Sequence, residues 1–216
     1  MLGPLRRWLG PEALADESRW VVLDVESSGL DPRRDHLLAI AAVGVQVESA
    51  RALVCIGDSF EVVLQQPEAS TAPDKANILL HGIGVGAQRA GMVPRAALQT
   101  FAAYAGASPL LAFHSAFDRA LVDRAFEAAG MEALRNPWLD IEPLAAVLHP
   151  ELRARSLDEW MAHFGIRCAV RHQAAADTLA TAELLLRLWP ALRAQRLKPG
   201  FRAVAALAAQ RRWLHP

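Results

Sequence analysis

The stretch Trp20-Val21-Val22-Leu23-Asp24-Val25-Glu26-Ser27-Ser28-Gly29-Leu30 decides how this chain is read. Residues 20–26 form an apolar run of the length of a buried strand, yet the run ends on two carboxylates two positions apart. Side chains at i and i+2 of a strand point to one face. Asp24 and Glu26 therefore converge at the strand's end, just before a Ser-Ser-Gly turn. Like charges held that close repel, and burial adds to the cost of ionising either. A divalent cation reverses that sign, so the strand reads as half of a metal site.

Outward from this strand, Asp31-Pro32 marks a turn. Two further apolar runs follow, at 37–47 and 53–64, with Gly57-Asp58 as a bulge or turn inside the second. Three strands on short connections predict an antiparallel meander. Residues 65–93 hold Pro67, Pro73 and four glycines and read as loop. Next come a helix over 96–105 begun by Pro94, a strand over 109–114, and a helix over 117–129 stopped by Gly130. A short strand at 138–141 leads into a helix up to Pro150. Ser156-Leu157-Asp158-Glu159 opens a helix that Gly165 ends, and helices over 174–192 and 201–210 complete the chain. The expected class is α/β: a mixed sheet with helices on its faces. An N-terminal arm (1–19) and a C-terminal helical extension (196–216) flank one domain (20–195).

With 216 residues and 53% hydrophobic content, the chain can bury a sizeable core. No run approaches the ~18 apolar residues of a membrane span, and the N-terminus lacks a signal-peptide pattern, so the expectation is a cytoplasmic protein without a membrane partner. Cys55 and Cys168 sit among apolar neighbours and read as buried thiols. The formal net charge of zero does not advertise a polyanion binder. After Glu183 the chain has no acid, while Arg187, Arg193, Arg196, Lys198, Arg202, Arg211 and Arg212 follow. A solvated helix face accounts for them better than a phosphate-binding tail. His149, His163 and His215 have no constellation around them and read as structural.

Two more acids face inward. From Asp118, helical spacing gives Leu121, Val122, Ala125 and Ala129, an apolar stripe, whereas Arg119, Asp123 and Glu127 share the opposite face. Ser115 followed by an acid three residues on is also a capping-box pattern, and both readings stand for Asp118 taken alone. From Asp177, the stripe is Thr181, Leu184, Leu185 and Leu188. A lone buried acid is costly unless paired, and no Lys or Arg lies on that stripe. His172 precedes Asp177 by five residues, where a loop enters the helix. Asp140, after the strand at 138–139, reads as a helix cap or a support.

With these residues in place, the chain resembles the DEDD-type 3′–5′ exonucleases, in the subgroup with histidine in the last motif that includes the proofreading epsilon subunit of bacterial DNA polymerase III. Asp24-Val25-Glu26-Ser27-Ser28-Gly29-Leu30 matches the first motif, His114-Ser115-Ala116-Phe117-Asp118 the second, and His172 with Asp177 the third. His81-Gly82-Ile83 matches a triplet common between the first two. The resemblance covers about residues 20–190. Ser27-Ser28 replaces the usual Thr-Thr, and Phe113-His114 replaces the usual His-Asn. Gln173 and the single tyrosine, Tyr104, exclude the tyrosine subgroup.

The resemblance implies an RNase H-like fold with a five-stranded mixed sheet, a three-strand antiparallel meander followed by β-α-β. It implies hydrolysis of 3′-terminal phosphodiesters with two Mg²⁺ or Mn²⁺ ions, which suit hard oxygen ligands. Asp24, Glu26 and Asp177 would hold the first ion, and Asp24 with Asp118 the second. His172 would act as general base; an unperturbed imidazole titrates near pH ~6.5, in the range that role needs. Ser27, Ser28, Gly29 and Leu30, with Phe117 and His81, would hold the terminal nucleotide. The implied partners are single-stranded nucleic acid 3′ ends, DNA rather than RNA, and a polymerase. The alternatives are an exoribonuclease on the same scaffold, distinguished by 2′-hydroxyl contacts, and a non-catalytic nucleic-acid-binding module.

Overall fold

The fold is seen in a computed structural model, which describes residues 18–48, 51–66, 75–195 and 200–213. The expected arm at 1–19 lies outside them except for its last two residues, as do 196–199 and 214–216 of the expected C-terminal extension.

Strand β1 (Arg19–Ser27) is central to a five-stranded sheet of order β3-β2-β1-β4-β5. Strands β2 (Leu37–Val47) and β3 (Ala52–Val63) run antiparallel to their neighbours and form the meander. Strands β4 (Leu110–Ala112) and β5 (Trp138–Asp140) run parallel to β1. This is the RNase H-like order that the resemblance implied. Helices α3 (Pro94–Ala105) and α4 (Ser115–Ala128) cover one face, packing on Val21, Leu23 and Val25. The other face, with Trp20 and Val22, carries α5 (Ile141–Leu148), α6 (Leu157–Phe164), α7 (Ala174–Ala194) and α8 (Phe201–Ala208). Alternation along β1 thus sends each face of one strand into its own core.

Local chemistry sets several element ends. Pro94 begins α3, where its missing N–H costs nothing. Ser156 and Glu159 form a full capping box on α6, and Gly165 ends that helix at φ 65°. The 65–93 segment departs from its loop expectation: Lys75–His81 (α1) and Val85–Ala90 (α2) are short helices. Neither is long enough to persist alone. Tertiary contacts hold α1, including Asn77 Nδ2 donating to the Ser27 carbonyl at 2.7 Å.

Helix α7 runs antiparallel to β1. Near its start, Thr178 Oγ1 donates to the Ala41 carbonyl of β2 at 3.1 Å. Near its end, Trp189 packs edge-on against Trp20 at 5.8 Å. The basic residues after Glu183 are partly neutralised within the fold, Arg187 by Glu183 and Arg211 by Glu142. No helix among the described residues is long and apolar enough to cross a membrane.

The bulge expected near Gly57-Asp58 is present, as a shift of the β2–β3 register between Val43 and Gly44. It brings the Asp58 carboxylate over Gly44 to receive Arg19 through two hydrogen bonds, of 2.7 and 2.9 Å. A Cβ at Gly44 would lie 1.9 Å from Asp58 Oδ2. Gly44→Ala should therefore lower the free energy of unfolding by about 1–3 kcal/mol in urea titrations. The loss should be less than additive with Asp58→Ala, since Asp58→Ala removes the carboxylate that the new Cβ would strike.

Candidate active site

Asp24 and Glu26 stand at the carboxyl end of β1. Their cross-strand neighbours on β2 are Ala41 and Ala39, whose small side chains leave room beside the carboxylates. Because β4 runs parallel to β1, α4 starts at this same edge of the sheet and carries Asp118 in its first turn. Helix α7 starts there too, with Asp177 in its first turn. Helix N-termini favour carboxylates, so both helices present acids where they are best tolerated. Asp118 and Asp177 are buried, at 4% and 6% exposure.

The capping-box reading of Asp118 does not hold. Ser115 is the first helical residue and His114 the cap, with no side-chain capping bond. The Asp118 carboxylate instead accepts from the Val25 amide and from its own. The lone-acid argument for Asp177 also needs correction, because the acid is paired. Its partner, Arg171, comes from the segment before α7 rather than from the helical stripe. Asp177 Oδ2 accepts from the His172 amide at 3.0 Å, and Cys168 Sγ lies 3.5 Å from Oδ1. Cys55 and Cys168 are partly exposed, not buried as expected.

The acids perturb one another. Burial, then Asp118, Glu26 and Asp177, drive the Asp24 pKa well above the usual carboxylate range. Burial and Asp177 push Glu26 up to about 8. Burial, with Asp140 and Glu26, also raises Asp118 against the pull of its amide hydrogen bonds. Glu26 Oε1 is buried without a hydrogen-bond partner. Hard oxygen donors, mutual repulsion and an orphaned buried carboxylate oxygen fit a divalent cation. Among the described residues, however, no three His, Cys, Asp or Glu side chains are arranged as metal ligands as they stand. Both Asp177 oxygens are engaged by the 168–172 segment, which accounts for that acid.

The histidines are placed unequally. His172 is exposed, and with His114 it is one of two non-glycine residues with positive φ among the described residues, both at 62°. Such backbone strain gathers at functional positions. His81 is buried at 4% exposure. Its Nδ1 accepts from the Ile83 amide at 2.9 Å, and its Nε2 has no partner. It lies beneath the surface rather than on it.

The turn after β1 is built by residues that sequence reasoning missed. Asp35 accepts from Ser28 Oγ at 3.1 Å and from the Asp31 amide at 2.8 Å. Its carboxylate lies against Gly29, where a Cβ would come within 2.5 Å of Oδ2. Arg124 of α4 donates to the carbonyls of Pro32, Arg34 and Asp35. Leu30 projects from this turn at 88% exposure, and Phe117 is half-buried beside the core. Asp140 caps α5 and accepts from the His114 amide at 3.0 Å, as a support would. The spacing of Asp31 and Asp35 hints at a turn; nothing in the sequence links Arg124 to it.

The sequence profile of the exonuclease family RNase T matches residues 21–185. The chain belongs to this exonuclease family. An epsilon-like DNA polymerase III subunit from Rhodobacter capsulatus is 33% identical over 199 residues, 87% of this chain and 27% of that protein. A PolC-type DNA polymerase III from Bacillus cereus is 30% identical over 177 residues, 81% of this chain and 12% of the polymerase. The exonuclease chain thus spans between 12% and 27% of the length of these relatives. E. coli exonuclease I in complex with a dT13 oligonucleotide shares the fold. Its TM-score is 0.69 at 19% identity, over 82% of this chain and 43% of that one. Membership of the family implies dependence on a divalent metal.

The raised carboxylate pKa values have a consequence for stability. A carboxylate with a raised folded-state pKa stabilises the fold fully below its unfolded value and loses that contribution as pH rises through the folded one. In EDTA, the melting temperature should fall by several degrees between about pH 5 and pH 8, in a scan by circular dichroism. Glu26→Gln, which removes the group pushed up to about 8, should flatten that slope.

Proposed function

We propose that this chain is a metal-dependent 3′–5′ exonuclease that releases nucleoside 5′-monophosphates from single-stranded DNA. The observation that carries the proposal is the gathering of Asp24, Glu26, Asp118 and Asp177, acids from three elements, at one edge of the sheet, where the first three have raised pKa values. Their donor set suits two Mg²⁺ or Mn²⁺ ions, with Asp24, Glu26 and Asp177 holding one, and Asp24 and Asp118 the other. Bound there, the ions would supply Lewis-acid stabilisation of the scissile phosphate and lower the pKa of the attacking water.

The remaining work falls to the chain. His172 takes the proton of the attacking water on its imidazole, and its solvent exposure lets that proton leave. Its strained backbone, tied to Asp177 through the amide, fixes where the ring departs from the chain. The Ser27-Ser28-Gly29-Leu30 turn receives the terminal nucleotide. Asp35 and Arg124 hold that turn rigid, so little ordering cost falls on the substrate. Leu30 and Phe117 offer apolar surface to sugar and base, and His81 is assigned to the same nucleotide by the family resemblance. The names of the epsilon-like and PolC-type relatives favour DNA as the substrate and a DNA polymerase as the partner.

The test is digestion of 5′-labelled single-stranded DNA and RNA of equal length, with and without EDTA. The expected outcome is a 3′-end ladder on DNA that EDTA abolishes. His172→Ala should lower kcat by about 10²–10⁴-fold, and a variant digesting at the wild-type rate would refute the general-base role. Faster digestion of RNA would assign the enzyme to 2′-hydroxyl-bearing ends instead. Calorimetry gives a second check. Near pH 7 Glu26, pushed up to about 8 without metal, holds a proton that a bound cation expels. Mn²⁺ binding should release protons at pH 7, seen as a buffer-dependent heat, and fewer at pH 9.

A further inference from the structure

Arg171 is the charged residue of this site that the chemistry above leaves without a role. It lies between α6 and α7, directly before His172. Its guanidinium bridges two acids of unlike setting. Nε lies 2.6 Å from Asp158 Oδ1 and Nη2 3.4 Å from Asp158 Oδ2, while Nη1 contacts Asp177 Oδ1. The Asp158 side chain is 60% exposed and that of Asp177 8%, with Arg171 between them at 26%. One side of the fork is anchored at the surface, and the other reaches into the buried acids. Burial opposes the charge on Arg171, and its two acid partners outweigh that, leaving its pKa above the ordinary value. The same charge lowers the pKa of Asp24 and Glu26.

We propose that Arg171 is a resident counter-cation that competes with divalent metal for Asp177, and that Asp158 is the anchor which retains it when metal binds. The Arg171–Asp158 pair then sets the metal affinity of the site. The inference rests on the metal-binding reading above. Oδ1 of Asp177 cannot present the same face to a guanidinium and to a divalent ion, and the two cations repel. An ion taken up by Asp177 therefore dislodges Nη1. Asp158 keeps Nε and Nη2, so Arg171 is not left unpaired, which would oppose the exchange strongly. Planar, five-donor arginine suits this divided attachment; lysine, a point charge, does not.

The two partners predict opposite effects. Arg171→Ala removes the competitor and should tighten Mn²⁺ binding about tenfold. Asp158→Asn removes the outer anchor, leaves Arg171 to Asp177, and should weaken binding several-fold. The double variant should behave like Arg171→Ala. A purely structural role, in which the pair only braces the segment bearing His172, predicts weaker binding in both single variants. Mn²⁺ affinity is measured on the full chain by calorimetry or by the paramagnetic resonance of free Mn²⁺, without nucleic acid. Arg171→Gln, which keeps most of the side chain's bulk, replaces Arg171→Ala if that variant does not fold. Unchanged or weaker binding on loss of Arg171, or equal weakening in both single variants, would overturn the proposal while leaving the nuclease reading intact. A wild-type chain that takes up no Mn²⁺ would overturn both.

Discussion

Everything at the functional edge of this protein answers to the repulsion among carboxylates brought together at the end of one strand. Asp24 and Glu26 are fixed two residues apart on β1, and neither can turn to the other face without breaking the pleat. Asp118 and Asp177 add to the crowding from two helices. The fold meets the cost with several devices: small Ala39 and Ala41 opposite the strand acids, backbone amides on Asp118, and the Arg171 guanidinium on Asp177. None of them neutralises the whole cluster, and the pKa values of Asp24, Glu26 and Asp118 remain raised. A site kept in that condition is primed for cations of higher charge.

Topology explains how acids so far apart in the chain come together. A parallel β1–β4 pair places the ends of both strands at the same edge of the sheet, where ligands of open α/β sheets commonly bind. The chain leaving β4 enters α4 at that edge, and α7 returns antiparallel to β1 so that its N-terminus faces it. The two cores on either side of the sheet hold these starting points in place. Arg124 extends the same logic to the turn. It reaches from α4, the helix that carries Asp118, to three carbonyls of the loop after β1, coupling that loop to the acid-bearing helix.

Much of this was legible beforehand, for identifiable reasons. The strands and the longer helices follow from periodicity, and the ends of α3 and α6 from Pro94, Ser156 and Gly165, because those signals are local. The inward direction of Asp118 and Asp177 follows from helical spacing alone. The short helices α1 and α2 were hidden, since contacts such as that of Asn77 with Ser27 hold them rather than propensity. The capping-box reading of Asp118 failed because capping depends on which residue leaves the helical backbone conformation, and here that residue is His114. Arg171 was invisible as the partner of Asp177 because a helical stripe contains only residues of the helix, and the arginine arrives from a loop.

The amino-acid sequence by itself determined which residues could bear the chemistry: two acids on one strand face, two on inward helical faces, and a histidine before the last. Period and spacing are properties of the local chain, so they survive without knowledge of the fold. Only the tertiary structure decided the electrostatic terms on which those residues meet. It set which acid is paired and which is left raised, that Asp177 shares a guanidinium with Asp158, and that Asp35 and Arg124 lock the turn. Those outcomes depend on through-space distances and burial among residues remote in sequence, and charges interact by separation in space rather than along the chain.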